Sequence, residues 1–315
     1  MKAPEIILTE EQRNEFTQIS SNISGWEIAK YYTFSEADLK IINQHRRNHN
    51  RLGFAIQLCC LRHPGWTLAN VDHIPQTVLS YVAAQLKVDP DTFNEYGQRE
   101  MTPIDHLQEL CEVYGFRYFD DTDHPSLEDY LMPCALENDH VLRLVKLSIE
   151  RLREQKIILP GITRIERIVS KVSQAAEGKI YQIINNYLTA KQKRQLDALI
   201  NSSDETQITK LAYLKEDQGQ SSPKAFMKTI ERLETIRELN LKVDFKEIHP
   251  NRMKQLSRLG SRYEPYSFRR FREDKRYALL VAFLHELAQR LTDFAVEIHD
   301  KQINIFLSKG RRQQE

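Results

Sequence analysis

Glycine and proline are both scarce in this sequence of 315 residues, which contains ten glycines and eleven prolines. Because these two residue types punctuate turns, a chain with few of them has few turns and long secondary-structure elements. The shortage argues against a β-sandwich, which needs many turns, and favours helices. The balance of 41% hydrophobic and 28% charged residues is that of an ordinary globular protein. We therefore predict an all-α fold of about two or three domains.

Long apolar runs are also missing, since no stretch approaches the ~18 consecutive apolar residues of a membrane helix. Residues 1–12 lack the apolar core and the small-residue cleavage site of a signal peptide. The four cysteines form no C-x-x-C pair, which is typical of reduced thiols in a cytosolic protein. We expect a cytoplasmic protein that has no contact with membranes.

Sequence motifs for common enzymatic chemistry are absent as well. There is no G-x-x-x-x-G-K-[ST] or G-x-G-x-x-G loop for a nucleotide, and no G-x-S-x-G nucleophile elbow. We therefore predict no catalytic residue and no cofactor.

Two groups of residues have the composition of metal ligands. His45 and His49 lie four residues apart and would share one helix face, but Arg46 and Arg47 lie between them and no third ligand is near. Contact with phosphate, or simple solvation, suits these histidines better. The acidic run at residues 120–123 stands close to a proline and is more typical of a solvated loop. The sequence therefore predicts no metal site.

Charge is unevenly distributed along the chain. Residues 89–139 contain fourteen acidic and two basic residues, a balance of 2 − 14 = −12. The formal net charge is +1, so the rest of the chain carries 1 − (−12) = +13. A near-neutral total thus does not argue against a polyanionic partner, which would meet particular faces of the protein.

Several local patterns predict helices and their ends. Residues 9–12 (TEEQ) and 163–166 (TRIE) have the sequence of capping boxes, and Ser35 and Ser222 are good N-caps. The run at residues 52–61 is apolar nearly all round, which places it at the centre of the first domain. Gly53 is expected to permit close helix packing. Four aromatic residues are expected to be core rather than base-stacking side chains: Trp26, Phe34, Phe54 and Trp66.

A basic helix face is predicted in the middle of the chain. Apolar residues from Ile165 to Ala176 form one stripe at helical spacing, and Arg164, Arg167 and Lys171 lie on a different face. On the second helix of a helix-turn-helix-like pair, these three cations would enter the major groove of DNA. The alternative is an exposed, salt-bridged surface helix, for which Glu166 and Glu177 offer carboxylates. The pattern alone does not decide between the two.

Residues 252–276 combine nine basic residues with three acidic ones and interleaved aromatics. Such segments often bind nucleic acid through their cations, and we expect the arginines to do so while the aromatics enter the core. A heptad-like seam follows on one long helix, from about residue 275 to 307, spanning ~50 Å. The seam consists of Leu280, Leu284, Leu287, Leu291, Phe294 and Ile298.

Three segments resemble the opening motifs of the Tn-three family of replicative transposases: residues 31–39 (YYTFSEADL), 50–58 (NRLGFAIQL) and 61–65 (LRHPG). Residues 152–161 together with 163–167 resemble a later stretch of that family, and residues 280–302 do so more loosely. The resemblance implies a helical N-terminal part that binds the terminal inverted repeats of a transposon. In that family the acidic catalytic triad lies on an RNase H-like domain much further along.

This sequence ends before any such domain, and it lacks the alternating strands that an RNase H-like fold needs. We therefore expect a protein that is not an enzyme. It would be an isolated N-terminal fragment or truncated product, or it would work with a separately encoded catalytic part.

The predicted organisation is several small, helix-turn-helix-like modules followed by a long C-terminal helix. Its ranges are 1–120 (a helical DNA-binding domain), 125–215 (a second module) and 222–315 (the basic segment and the long helix, linking to an absent catalytic region). Arg51, Arg62, Arg164 and Arg167 lie inside the family motifs, and the other contacts are inferred from charge. The predicted DNA contacts are Arg46, Arg47, His49, Arg51, Arg62, Arg164, Arg167, Lys171, Arg269, Arg270 and Arg272.

The predicted function is sequence-specific binding of double-stranded DNA at terminal inverted repeats. The alternative is a protein-assembly module that uses the heptad seam and the acidic segment 89–139. Its partner would be the catalytic part of a transposase or a second copy of this chain.

Overall fold

The computed structural model describes residues 7–99, 101–201, 209–217 and 219–314, with residues 310–314 described by their backbone alone. Within those ranges the chain forms fifteen α-helices, two short 3-10 helices and a single pair of two-residue strands. The prediction of an all-α fold is confirmed.

The chain divides into two compact units, which we call unit 1 (Met1–Met132 and His140–Ser173) and unit 2 (Pro133–Asp139 and Gln174–Glu315). Their boundaries differ from the ranges 1–120, 125–215 and 222–315 that the sequence predicts. Two of the three boundaries fall inside helices that run on into the other unit, and the third falls in the short connection at residues 138–140. That the ranges 1–120, 125–215 and 222–315 form separate modules stays a prediction.

Unit 1 contains the helices α1 (Glu10–Thr17), α2 (Gly25–Tyr32), α3 (Glu36–Ile42), α4 (Asn48–Arg62), α5 (Gln76–Leu86), α6 (Met101–Tyr114), the first part of α7 (Asp123–Glu137), α8 (Val141–Glu154) and the first part of α9 (Ile162–Asn186). The 3-10 helices are Leu68–Asn70 and Pro90–Glu95. The strands β1 (Arg117–Tyr118) and β2 (Ile157–Ile158) pair in parallel, with Arg117 opposite Ile157.

Unit 2 contains the remainder of α7 and α9, followed by α10 (Ala190–Ile200), α11 (Lys210–Lys215), α12 (Pro223–Glu238), α13 (Pro250–Arg262), α14 (Pro265–Arg270) and α15 (Glu273–Gln314). α15 is the long C-terminal helix that the heptad pattern predicts, and its 42 residues exceed the predicted range.

Hydrogen bonds at the helix ends show which of the predicted N-caps form. Thr9 forms a capping box with Gln12, and the Oγ of Ser222 accepts from the amide of Ala225 at 3.1 Å. The capping box predicted at Thr163 is wrong, because α9 already begins at Ile162. Glu166 is buried and accepts hydrogen bonds from Arg13 at 2.7 Å and from the amide of Leu8 at 3.2 Å.

The core of unit 1 is built around α4, as predicted. Every residue from 52 to 61 is buried. Gly53 lies directly under the ring of Tyr96, because a Cβ atom at that position would be 2.1 Å from the ring carbon Cδ2. The Tyr96 hydroxyl lies 2.6 Å from Nε2 of Gln57 and 3.0 Å from Nδ1 of His106. The expectation that Gly53 permits close packing is confirmed.

Three of the four aromatic residues predicted to be core are buried: Phe34, Phe54 and Trp66. Trp66 donates its indole N–H to the carbonyl of Phe16 at 3.1 Å. Trp26 is 68% exposed, so that prediction is wrong. The buried face of α2 is formed by Ile28 and Tyr32. A residue two positions before Ile28 points ~200° away from it around the helix.

The core of unit 2 forms along α15, where α12 and α13 pack against it. The seam residues are buried except Phe294, which is half-buried. α13 approaches α15 closely at Gly260. A Cβ atom there would lie 2.6 Å from the carbonyl oxygen of Leu279 and 2.7 Å from Cβ of Phe283. The seam that the heptad pattern predicted is therefore part of the core of unit 2.

Candidate nucleic-acid interface

The basic face of α9 has the form that its sequence predicts. Arg164, Arg167 and Lys171 are exposed, while Ile165 and Ile168 are buried on the other side of the helix. The connection from α8 to α9 has seven residues, 155–161, and contains β2. It is longer than the three or four residues of a helix-turn-helix turn.

Acidic side chains neutralise two of the three cations on this face. Nη2 of Arg164 lies 3.3 Å from Oδ1 of Asp121. Nζ of Lys171 lies 2.6 Å from Oε1 of Glu128. Arg167 has no ion-pair partner among the described residues. The partners are therefore not Glu166 and Glu177, which the sequence offered, but carboxylates of the acidic segment 89–139.

The turn before α4 exposes two further cations. Arg46 and Arg47 have no ion-pair partner in the described part of the chain, and Arg47 is the residue preceding the first turn of α4. The neighbouring predicted contacts are engaged. Nδ1 of His49 lies 3.0 Å from Oε2 of Glu95, and Arg51 donates its Nε–H to the carbonyl of His45 at 2.7 Å.

Arg62, which lies in a family motif, holds two helices together. Its Nη1 and Nη2 donate to the Asp38 carboxylate at 3.0 and 2.8 Å, and its guanidinium lies 5.3 Å from the ring centre of Tyr114. Burial of Asp38 would raise the pKa of its carboxyl. Hydrogen bonds from Arg62 and from Ser35 outweigh burial and lower that pKa to about 2. The charge of Arg62 is therefore satisfied inside unit 1.

Two of the three arginines predicted in the basic segment of unit 2 are also engaged. Arg269 donates from Nε and Nη2 to the carbonyl of Ile200, at 3.1 and 2.8 Å. Arg272 pairs with Asp274. Arg270 is exposed and has no ion-pair partner among the residues that the structure describes.

The aromatics of this segment divide between core and surface. The rings of Tyr263, Phe268 and Phe271 pack edge to face, with centroids 4.9 to 6.4 Å apart. Tyr266 is 62% exposed. The expectation that aromatics enter the core thus holds for three of the four.

The sequence predicted a basic segment at residues 252–276 but not the regular row of cations that α13 presents within it. Lys254, Arg258 and Arg262 lie four residues apart, are exposed and have no ion-pair partner in the described ranges. We call these three residues the α13 basic stripe. The opposite side of α13 carries the buried Leu256 and Gly260. The spacing of the three cations was the available signal, because residues four apart share one face of a helix.

The other candidate sites have structural explanations. His45 lies against the rings of Phe54 and His106, at centroid distances of 4.4 and 4.6 Å, and burial lowers its pKa. Asp123 is buried and accepts two hydrogen bonds from Arg117, at 2.6 and 2.7 Å. Among the described residues, no group of three or more His, Cys, Asp or Glu side chains is placed to hold a metal.

None of the described helices is both long enough and apolar enough to cross a membrane.

Comparison with known proteins finds transposases that are similar to this chain along nearly all of its length. It is 46% identical over 312 residues to the transposase for transposon Tn1546 of Enterococcus faecium, covering 98% of this chain and 31% of that protein. It is 36% identical over 293 residues to the transposase for transposon Tn3926 of Escherichia coli, covering 92% of this chain and 30% of that protein. The transposase for transposon gamma-delta of Escherichia coli strain K12 is 27% identical over 315 residues.

A family model described as "Domain of unknown function (DUF4158)" matches residues 7–172. The chain belongs to this family and corresponds to the N-terminal part of a Tn-three family transposase. The resemblance found in the sequence is thereby confirmed. The chain spans about a third of the length of the relatives that it matches.

Proposed function

We propose that this chain binds double-stranded DNA at the terminal inverted repeats of a transposon. In this proposal the cutting of DNA strands is performed elsewhere, by a catalytic part that the relatives contain or by a separate polypeptide. The α13 basic stripe is the observation that carries the proposal, because it presents a row of charges that no carboxylate of the described residues neutralises.

The geometry of the stripe suits a duplex backbone. Its first and last residues are eight positions apart on α13, which corresponds to ~12 Å along a helix. A duplex carries about one phosphate charge per 1.7 Å of its axis, so a row of this length faces several phosphates. Because none of the three cations has an ion-pair partner in the part of the chain that the structure describes, DNA binding would break no ion pair seen there.

Unit 1 contributes a second set of cations that have no ion-pair partner within the described ranges, Arg46 and Arg47 before α4 and Arg167 on α9. We propose that these three and Arg270 are the principal contacts among the residues predicted from sequence. The remaining predicted contacts are engaged within the chain and contribute less: His49, Arg51, Arg62, Arg164, Lys171, Arg269 and Arg272.

The proposal is tested by fluorescence anisotropy, with a labelled duplex that carries the end sequence of Tn1546 and a scrambled duplex of equal length. The chain is expected to prefer the transposon end. Replacing all three stripe residues with alanine is expected to weaken binding to both duplexes, since phosphate contacts are independent of sequence. Equal affinity of the unchanged protein for the two duplexes would contradict recognition of the repeat.

Arg99→Ala is the matched control for charge. Arg99 is exposed and free of ion-pair partners among the described residues, but it lies in the acidic segment 89–139. Its removal is expected to leave the affinity unchanged. If Arg99→Ala and the triple substitution weakened binding equally, a general effect of net charge would explain the loss.

A second comparison examines the face of α9. Arg167→Ala is expected to weaken binding to the transposon end more than Arg164→Ala does, because Arg164 already pairs with Asp121. The two substitutions remove the same charge from the same helix face, three residues apart. An equal loss of affinity from both substitutions would show that the ion pair with Asp121 does not prevent Arg164 from contacting DNA.

Assembly with another protein remains a second candidate function, and one observation favours it. The seam of α15 is buried inside unit 2, but the end of the helix exposes Ile303, Phe306 and Leu307. Sedimentation equilibrium of the whole chain and of a variant with Phe306→Asp and Leu307→Asp tests this function. If the unchanged chain is a monomer, this helix end does not support self-association.

A further inference from the structure

Trp26 is the exposed member of the chain's two tryptophans. Its side chain is 68% exposed, while that of Trp66 is 2% exposed and donates to a backbone carbonyl. Tryptophan is normally well buried, since its large ring gains more than most side chains from leaving water. An exposed indole at the second position of α2 therefore calls for a partner.

The surroundings of Trp26 alternate aromatic rings with cations. Nζ of Lys30 lies 4.9 Å from the ring centre of Trp26 and 4.8 Å from that of Tyr31. Tyr31 stacks on His63, with ring centroids 4.0 Å apart and an interplanar angle of 18°. The guanidinium of Arg153 lies 5.9 Å from the Tyr31 ring centre. We call these five residues the Trp26 surface.

Glu27, the acidic residue of α2, forms no ion pair with Lys30. Glu27 is turned back to its own helix end, where it accepts from the amide of Ser24 at 3.0 Å and from its hydroxyl at 2.7 Å. His63 is neutral near pH 7, because burial, together with the charges of Arg153 and Lys30, lowers its pKa to about 4. The ammonium of Lys30 is exposed and has no ion pair among the described residues.

Apart from Lys30, whose ammonium lies over the Trp26 ring, the exposed side chains of α2 near that ring are small. The other exposed residues of α2 besides Trp26 and Lys30 are the small residues Gly25 and Ala29, and a Cβ atom built on Gly25 would meet nothing within 4 Å. A largely exposed flat ring, beside a cation that has no ion pair in the described part of the chain, suits a flat, electron-rich ring attached to a phosphate. An apolar protein partner would gain from the indole but would have to desolvate Lys30.

We propose that the Trp26 surface binds an unstacked nucleobase of DNA, with the base on the Trp26 ring and Lys30 at the adjacent phosphate. Aromatic stacking combined with cations is the general means by which proteins hold bases that are outside a duplex. This inference rests on the proposed function, since it adds a site for locally opened DNA to a protein that binds duplex DNA.

The two tryptophans provide a direct spectroscopic test. Two duplexes with the Tn1546 end sequence are titrated into the whole chain, one fully paired and one with a single unpaired thymine. Stacking on Trp26 is expected to quench tryptophan fluorescence more with the unpaired thymine than with the fully paired duplex. In Trp26→Phe only the buried Trp66 still emits, and its emission is expected to change little.

Affinity provides the second readout. Trp26→Ala is expected to reduce the affinity for the duplex with the unpaired thymine by about 5- to 150-fold, because stacking contributes ~1–3 kcal/mol per base. Trp26→Phe keeps an aromatic ring and is expected to restore part of this affinity. Lys30→Gln is expected to weaken the same complex, whereas Lys40→Gln, at an exposed position of α3, is not.

The outcomes separate this inference from the proposed function. If both duplexes bind equally well and quench equally, the Trp26 surface does not take a base, while duplex recognition stands. If neither duplex binds, the proposed function fails as well. If Trp26→Ala leaves DNA binding unchanged but alters the sedimentation of the chain, the surface is a protein contact and the inference is overturned.

Discussion

Arg62 and Arg167 are the same residue type, and both lie in motifs that resemble the transposase family, but their surroundings differ. Arg62 donates two hydrogen bonds to the buried carboxylate of Asp38, whereas Arg167 is exposed and free of ion pairs in the described ranges. Asp38 also caps α3 through the amide of Ser35. The Arg62–Asp38 pair therefore fixes the end of one helix to another.

The pair predicts a defined dependence of stability on pH. The pKa of Asp38 is about 2 in the folded chain and about 3.9 in an unfolded one, so its contribution is complete above about pH 4. That contribution is lost as the pH falls through about 2. Asp38→Asn is expected to cost about 1.5–3 kcal/mol at pH 7, the range for hydrogen bonds to a charged group.

Urea unfolding of both proteins at pH 7 and at successively lower pH measures this effect. The difference between them is expected to shrink as the pH falls from about 4 to about 2. A difference that stays constant over this range would show that Asp38 is not ionised in the folded chain.

Buried histidines predict a further loss of stability on acidification, which begins at a higher pH than the loss due to Asp38. Burial, followed by the charge of His45, lowers the pKa of His106 to about 4, against about 6.5 in an unfolded chain. The contribution of neutral His106 is thus complete above about pH 6.5 and is lost as the pH falls to about 4. His106→Gln is expected to reduce the slope of stability against pH in this window.

The slope is measured by urea unfolding between about pH 7 and pH 4. His73→Gln replaces an exposed histidine of the same unit and is expected to leave the slope unchanged. Because His63 titrates in the same window, the variant at His106 is expected to retain part of the slope. A slope identical to that of the unchanged protein would exclude His106 as a contributor.

At the scale of single elements, two helical glycines have opposite surroundings. Gly260 of α13 lies against α15, where a Cβ atom would be 2.6 Å from a backbone oxygen. A Cβ atom on Gly178 of α9 would meet nothing within 4 Å. Glycine is a poor helix former at both positions. Close packing accounts for glycine at position 260 but not at position 178.

Alanine at these two positions is expected to have effects of opposite sign. Gly260→Ala forces the two helices apart and is expected to destabilise the chain by about 1–3 kcal/mol. Gly178→Ala is expected to stabilise it by roughly 0.5–1 kcal/mol, because alanine favours the helix. The midpoint of urea unfolding measures both, and stabilisation by Gly260→Ala would contradict the close approach of α13 and α15.

At the scale of the whole molecule, the acidic segment 89–139 partly neutralises the chain's own cations. Three carboxylates of this segment, Glu95, Asp121 and Glu128, pair with residues that sequence reasoning assigned to DNA. The cations without an ion-pair partner among the residues described by the structure include Arg46, Arg47 and Arg167 in unit 1 and the α13 basic stripe in unit 2. The formal net charge of +1 therefore does not mean that charge is evenly balanced over the surface, because separate basic surfaces remain.

The salt dependence of DNA binding is the corresponding prediction. Each phosphate neutralised by the protein contributes about −0.9 to the slope of log affinity against log salt concentration. Replacing the three residues of the α13 basic stripe with alanine is expected to reduce the magnitude of this slope by about 2 to 3. Anisotropy titrations over a series of salt concentrations measure it, and an unchanged slope would exclude the stripe from the interface.

The sequence by itself determined the helical class, the caps at Thr9 and Ser222, the seam of α15 and the family. These features depend on neighbouring residues, on periodicity or on motifs, all of which are local in the chain. The sequence also predicted the burial of Phe34, Phe54 and Trp66 and the central position of the apolar run at residues 52–61.

Only the tertiary structure decided which cations are free and which tryptophan is exposed. Arg164 and Lys171 are paired by carboxylates 43 residues away, and Glu166 is turned toward Arg13, 153 residues away. No periodic pattern records contacts of such separation, because each depends on how the helices pack. Whether a basic residue serves the fold or a partner is therefore settled by the carboxylates and carbonyls that folding brings to it.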